Sequence, residues 1–136
     1  MLLKFAKARP SQHAEIYTLM EAAFTPYVQN LGHSAAGPYP WLEAAIAGQE
    51  VFIALDGAEI VGAVTTIIRE ADLAIEQLAV DPHRQGQGIG SFLLGQLEQN
   101  ARDTGATSLS LNTAEMMTGL LRLYSRHGFV ETRREL

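Results

Sequence analysis

Three glycines, Gly86, Gly88 and Gly90, stand at alternate positions between a hydrophobic run and an amphipathic one. The segment reads Leu78-Ala-Val-Asp-Pro-His-Arg-Gln-Gly-Gln-Gly-Ile-Gly-Ser-Phe-Leu-Leu94. Pro82 ends the strand-like stretch, and the glycines stand where a helix must begin. Such a loop leaves main-chain N–H groups uncovered and aims them, with the helix dipole, at one point. That geometry binds an anion, most often a phosphate. Glycine is needed there because a β-carbon would block close approach. Two better-known phosphate loops do not fit. The dinucleotide pattern G-x-G-x-x-G meets Ser91 when counted from Gly86 and Leu93 when counted from Gly88. The Walker pattern needs Gly-Lys-Ser/Thr, which does not occur. A glycine-rich turn without a ligand is the plain alternative, but each glycine weakens a helix start unless it is used. The pattern that remains is Q-x-x-G-x-G, met by Gln85, Gly88 and Gly90.

Periodicity supplies the elements that must position this loop. Residues 2–8 suit a strand. Pro10 opens a helix whose apolar face is Ile16, Leu19, Met20, Ala23 and Phe24. Residues 25–40 hold Pro26, Gly32, Gly37, Pro38 and Pro40 and predict a loop. A short helix follows over 41–48, with Leu42, Ala45 and Ile46 inward. Val51–Leu55, Ile60–Ile68 and Leu73–Val80 form a meander, its first turn at Asp56-Gly57. Residues 88–104 are helical, with Ile89, Phe92, Leu93, Leu97 and Ala101 on one side, and Gly105 stops them. Thr107–Leu111 is a strand. Residues 114–127 form a helix facing inward through Met117, Leu120, Leu121 and Tyr124, and Phe129–Arg133 begins a last strand. The order β-α-α-β-β-β-α-β-α-β predicts an α/β fold, a mixed central sheet with helices on both faces. Residues 73–111 make a βαβ crossover, so its two strands are parallel neighbours.

Composition narrows the function. The chain of 136 residues fits one domain, residues 1–136. Hydrophobic residues at 47% with charged residues at 18% exclude a disordered chain. Ten Lys+Arg against fifteen Asp+Glu argue against nucleic-acid binding, which shows a basic excess. The absence of cysteine removes disulfides, thiolate nucleophiles and Cys-ligated zinc, and suits a cytoplasmic home. No apolar run is long enough to span a membrane, and Lys4, Lys7 and Arg9 argue against a signal peptide. The charge is uneven. Residues 1–83 carry four Lys/Arg and ten Asp/Glu, whereas residues 84–136 carry six and five.

Taken with the upstream Leu-Ala-Val-Asp-Pro and the later Leu-Tyr-Ser-Arg-His-Gly-Phe of residues 123–129, the glycine loop resembles the GNAT N-acetyltransferase superfamily. The resemblance covers nearly the whole chain. It implies acetyl-CoA as co-substrate and a small-molecule or peptide amine as acceptor. It implies that the N–H groups of Gln85, Gly86, Gln87, Gly88, Ile89, Gly90 and Ser91, beside Arg84, hold the pyrophosphate. Leu78, Ala79 and Val80 would offer a strand edge to the pantetheine arm, as to an added strand. In the family this strand splays from its neighbour at a bulge and opens a V-shaped slot, whose other wall here is residues 107–112. Tyr124 matches the family tyrosine facing the CoA sulfur, a general acid for the departing thiolate. The alternative for Tyr124 is a core residue of its helix face. Relatives carry an Asn seven residues before that tyrosine; Met117 stands there, and Asn112 is the substitute contact to pantetheine. Relatives continue into one more strand after Gly-Phe, which is expected to be absent here: the protein is unusually short, a partner subunit supplies the strand, or the chain is truncated. An open sheet edge favours oligomers such as a homodimer, or aggregation.

The amine must lose a proton before it attacks. Glu76 lies two residues before Leu78, so the two share a face if no bulge intervenes. Among Ile75, Leu78 and Val80 a carboxylate would be partly desolvated and better suited to act as a base. The alternative is a Glu at the sheet surface or one pairing an Arg. Tyr27, Tyr39 and Trp41, with His33, fall in the region that builds the acceptor site in the family; they either line a pocket or pin the loop. The histidines show no H-x-x-x-H spacing, so no metal is expected. Without cysteine there is no acyl-enzyme, which fits direct attack in a ternary complex. Two rival readings stand: a CoA- or acyl-CoA-binding module without catalysis, and a Rossmann-type nucleotide-binding protein, which the failed fingerprint disfavours. The acidic half of the chain would suit a cationic acceptor.

Overall fold

The computed structural model describes residues 2–29 and 38–111. Strand β1 (Leu3–Lys7) leads through a 3-10 turn at Pro10–Gln12 into helix α1 (His13–Gln29). A short helix α2 (Leu42–Ala47) precedes strands β2 (Val51–Asp56), β3 (Glu59–Arg69) and β4 (Asp72–Val80). Helix α3 (Ile89–Asp103) and strand β5 (Ser108–Leu111) complete the described part. The five strands form one sheet in the order β1-β2-β3-β4-β5. Neighbours are antiparallel except β4 and β5, which are parallel across the α3 crossover, as expected from the sequence. The mixed α/β layering is therefore found. The expected helix over 114–127 and strand over 129–133 lie outside the described residues.

One expectation fails. Residues 25–29 continue α1 rather than starting a loop, with Pro26 inside the helix. The carbonyl that Pro26 leaves without a donor belongs to Ala22, which is exposed, so water can serve it.

Two cores cover the two faces of the sheet. Ile16, Leu19, Met20, Ala23 and Phe24 of α1 and Leu42 and Ile46 of α2 pack against Ile53, Ile60, Ala63 and Ala79. On the other face Ile89, Leu93, Leu94, Leu97 and Ala101 of α3 pack against Val64, Leu73, Ile75 and Leu78. Leu94, absent from the predicted face, is buried, while Phe92 is only partly so. Contact between α3 and β3 is close at Gly62. A β-carbon there would stand 2.8 Å from Ile89 Cγ2 and 3.0 Å from Leu93 Cδ1.

The turns follow local chemistry. Asp56 and Glu59 pair across a two-residue turn in which Gly57 has φ +62°. Helix α2 closes with Glu50 N–H donating to Ala45 O and Gln49 N–H to Ile46 O, a Schellman pattern. Gln49, at φ +60°, fills the position glycine usually takes. Register shifts occur twice. Val61 is the extra residue of β3 opposite Ala54/Leu55, and Glu76 is the extra residue of β4 opposite Thr65/Thr66.

Candidate functional site

The chain leaves β4 through a 3-10 turn at Pro82–Arg84, capped by Asp81, whose Oδ1 accepts from His83 N–H at 2.9 Å. Gln85 is extended, and then Gly86 and Gly88 both take φ +82°. This left-handed backbone is costly for any residue but glycine. A β-carbon on either glycine would meet no atom within 4 Å, so the space outside the loop is open. Gly88 is the N-cap of α3, with no side-chain cap and no acidic residue in the first turn. The first intrahelical bond runs from Phe92 N–H to Gly88 O at 2.9 Å. The N–H groups of Ile89, Gly90 and Ser91 therefore have no acceptor within the helix, and the positive end of its dipole lies beside them. Uncapped donors with space in front of them suit an anion.

Arg84 is placed differently from the expectation that set it among the cofactor-binding residues. Its Nη1 donates to Asp56 Oδ2 at 2.8 Å and its Nη2 to Glu59 Oε2 at 2.6 Å. The Asp56 hydrogen bond above all, helped against the opposing effect of burial by the charges of Glu59 and Asp56, holds the guanidinium proton more firmly than usual.

Leu78, Ala79 and Val80 close β4, with Leu78 and Ala79 buried. Pairing between β4 and β5 runs from Asp72–Ser108 to Ile75–Leu111, and the bulge at Glu76 comes next. Among the described residues no strand pairs with the outer edge of β4 from Gln77 to Val80. The start of β5 is fastened to β4 by Asp72, whose two oxygens accept from Ser108 Oγ at 2.8 Å and Ser110 Oγ at 2.6 Å. The bulge itself is clamped. Thr65 Oγ1 donates to the Gln77 side-chain oxygen, and Gln77 N–H donates back to Thr65 Oγ1 at 3.1 Å.

That bulge removes the condition under which Glu76 would share a face with Leu78. Ile75 joins Leu78 against α3, and Glu76 drops out of the alternation. Its carboxylate lies 3.7 Å from Arg69 Nη2 with 22% of the side chain exposed. The expected Glu amid Ile75, Leu78 and Val80 is thus replaced by a partly exposed Glu near an Arg, next to the end of β4–β5 pairing.

On the α1–α2 side, Tyr39 is a pin. Its ring packs on the α1 core and lies edge-on to Tyr17 at 5.1 Å and to Trp41 at 5.9 Å. Tyr39 N–H donates to Tyr17 Oη at 3.4 Å. Its own hydroxyl is buried without a hydrogen-bond partner. Burial, with Glu21 and Tyr17 adding to it, pushes the Tyr39 phenol up to about 12. Trp41 keeps 38% exposure. Tyr27 belongs to the last turn of α1 rather than to a loop, and its side chain is outside the described set. His33, Asn112 and Tyr124 also lie outside it. Among the described residues no group of His, Asp and Glu is arranged to hold a metal, and no helix is long and apolar enough to cross a membrane.

The sequence reading missed three contributors: Gly62, the Asp56–Glu59 pair and the Thr65–Gln77 clamp. A glycine inside a strand pattern signals close backbone approach, so Gly62 could have been found. Nothing local ties Arg84 to residues 28 and 25 positions away.

The Acetyltransferase (GNAT) family matches residues 13–129. The chain belongs to the GNAT acetyltransferase family. Over 91 residues it is 34% identical to N-acetyltransferase 8B of Rattus norvegicus, a match covering 62% of this chain and 41% of the relative. The fold is that of the PaiA N-acetyltransferase from Thermoplasma acidophilum, solved with coenzyme A: TM-score 0.80, 13% identity, 99% of this chain and 94% of that one. An aminoglycoside acetyltransferase from an uncultured soil metagenomic sample shares it too: TM-score 0.72, 20% identity, 98% of this chain and 92% of that one. At such identities the two structures speak for the fold alone.

Proposed function

We propose that this GNAT family member moves the acetyl group of acetyl-CoA to a primary amine by direct attack in a ternary complex. The observation that carries the reading is the loop. Two left-handed glycines, open space outside them and an uncapped α3 N-terminus together make an anion site that packing does not need. Acetyl-CoA supplies an activated thioester; the chain supplies binding, orientation and proton handling.

In this reading the N–H groups of residues 85–91 hold the pyrophosphate. The edge of β4 at Leu78, Ala79 and Val80, unpaired among the described residues, takes the pantetheine arm by main-chain hydrogen bonds, with Asn112 as a further contact. Tyr124 gives a proton to the CoA sulfur as it departs. Glu76, directly or through water, accepts the proton of the attacking ammonium, and its partly exposed setting at the bulge gives water access. Trp41, together with Tyr27 and Tyr39, contributes to the acceptor site. Residues 10–68 contain no Lys or Arg, so the surface that α1 and α2 present favours a cationic amine.

The test is release of free thiol from acetyl-CoA across polyamines, aminoglycosides, amino acids and peptide N-termini. The expected result is turnover with at least one cationic class, falling as salt rises. Tight acetyl-CoA binding with no thiol release from any class would replace this reading with a non-catalytic CoA-binding module. Tyr124→Phe should lower kcat by roughly 100-fold, a usual size for a lost general acid, with acetyl-CoA affinity kept; an unchanged kcat removes Tyr124 from the mechanism.

A further inference from the structure

The pyrophosphate loop hangs between two posts, and both stand on β3. At its entry, Asp81 N–H donates to Val61 O at 3.0 Å and Arg84 N–H to Asp81 O at 2.8 Å. The Arg84 side chain then reaches Asp56 and Glu59, residues paired across the β2–β3 turn. At its exit, Ile89 sits in the notch left by the missing side chain of Gly62. Between the posts lie only Gln85 to Gly88, with both left-handed glycines. A guanidinium gripped by two carboxylates at 2.8 and 2.6 Å brings no net positive charge to the loop. What it does bring is a fixed starting point for the backbone.

We propose that Arg84 is a positioning residue: clamped by Asp56 and Glu59, it sets the direction of the main-chain donors in residues 85–91 and does not itself hold phosphate. The inference rests on the acetyl-CoA reading above. It makes the β2–β3 turn a determinant of acetyl-CoA affinity.

The two roles for Arg84 predict opposite signs. If Arg84 were a phosphate ligand restrained by the carboxylates, removing them would release it and tighten binding. If it is a clamp, removing them loosens the loop and weakens binding. The experiment compares wild type, Arg84→Ala, the double variant Asp56→Ala/Glu59→Ala, and all three changes together. Titrations use acetyl-CoA and acetyl-pantetheine, which lacks the pyrophosphate, in about 0.5 M salt so that diffuse charge effects are screened. Acetyl-CoA affinity should fall about tenfold in the single and the double variant, a usual size for coupling between linked groups. The triple variant should be no worse than either, because all three residues act as one unit. Acetyl-pantetheine affinity should not change, which separates aim of the loop from general loss of structure.

Arg84→Lys provides a milder variant. Its single ammonium keeps the charge but cannot fork to two carboxylates, so acetyl-CoA binding should still weaken severalfold. Wild-type or tighter acetyl-CoA binding by the Asp56→Ala/Glu59→Ala variant, or full affinity in Arg84→Lys, would overturn the proposal. A wild-type protein that binds no acetyl-CoA would instead sink the parent reading, and this one with it.

Discussion

The β4–α3 side and the α1–α2 side of this sheet use their unusual residues in opposite ways. On the first, expensive features stay open. Gly86 and Gly88 hold φ +82°, no atom stands where their β-carbons would be, and the α3 start has no side-chain cap. On the second, the conspicuous residues satisfy one another. Tyr17, Tyr39 and Trp41 lie edge to face, and Tyr39 packs on the core. Left-handed glycines and unmade hydrogen bonds point to a ligand; aromatic side chains already in contact point to packing. The loop side is therefore pre-organised for a ligand common to many reactions. In the proposed reading, acceptor choice falls to the few groups left exposed on the other side, Trp41 foremost.

This contrast can be broken by substitution. The largest effect is expected at Gly88→Val. A β-branched residue at φ +82° is strained, and its side chain would project into the open space before the donors. Acetyl-CoA affinity should drop by at least about tenfold, corresponding to roughly 1.4 kcal/mol. Titration calorimetry checks it, and wild-type affinity would mean that the loop is only a turn. Next in size is Gly62→Ala. The added methyl meets Ile89 and Leu93 at 2.8 and 3.0 Å, so α3 must shift. Stability should fall by about 1–3 kcal/mol, as overpacking does, with weaker acetyl-CoA binding alongside. Denaturant melts and the same titration measure the two together.

The smallest effect is expected on the packed side. Tyr39→Phe removes a hydroxyl that is buried without a partner, so stability should hold or rise by up to about 1 kcal/mol. The raised phenol adds a pH signature. The folded state keeps the proton more tightly than the unfolded chain does. Tyr39's contribution is thus complete below pH 10 and is lost as pH climbs towards 12. Melts of wild type and Tyr39→Phe across that range should diverge, the wild type losing stability that the variant keeps. A fall in kcat/KM for the amine with Tyr39→Phe would show the hydroxyl touching the acceptor and would erase the contrast.

The fold was legible wherever one residue type had one use. Asp56-Gly57 marked a hairpin, Gly105 a helix end, and Ile16 to Phe24 an apolar face, and each is found. The loop was legible for the same reason, since glycines at a helix start are unfavourable unless they are used. Pro26 misled because local rules count its missing donor but not the exposed Ala22 carbonyl that water can serve. Glu76 misled because period-two facing is a local rule, whereas the bulge arises from register with Thr65 and Thr66 eleven and ten residues earlier. Arg84 read as a cofactor-binding residue beside a phosphate site. Its partners lie on a hairpin that only the folded sheet brings near.

The central claim is that the glycine loop holds the pyrophosphate of acetyl-CoA through main-chain donors. Its most direct test is calorimetric titration of the wild-type protein with acetyl-CoA and with acetyl-pantetheine under one set of conditions. The account predicts that acetyl-CoA binds at least about tenfold tighter, since several charge-assisted hydrogen bonds at the loop are lost with the pyrophosphate. Equal affinity for the two ligands, or none for acetyl-CoA, would contradict it.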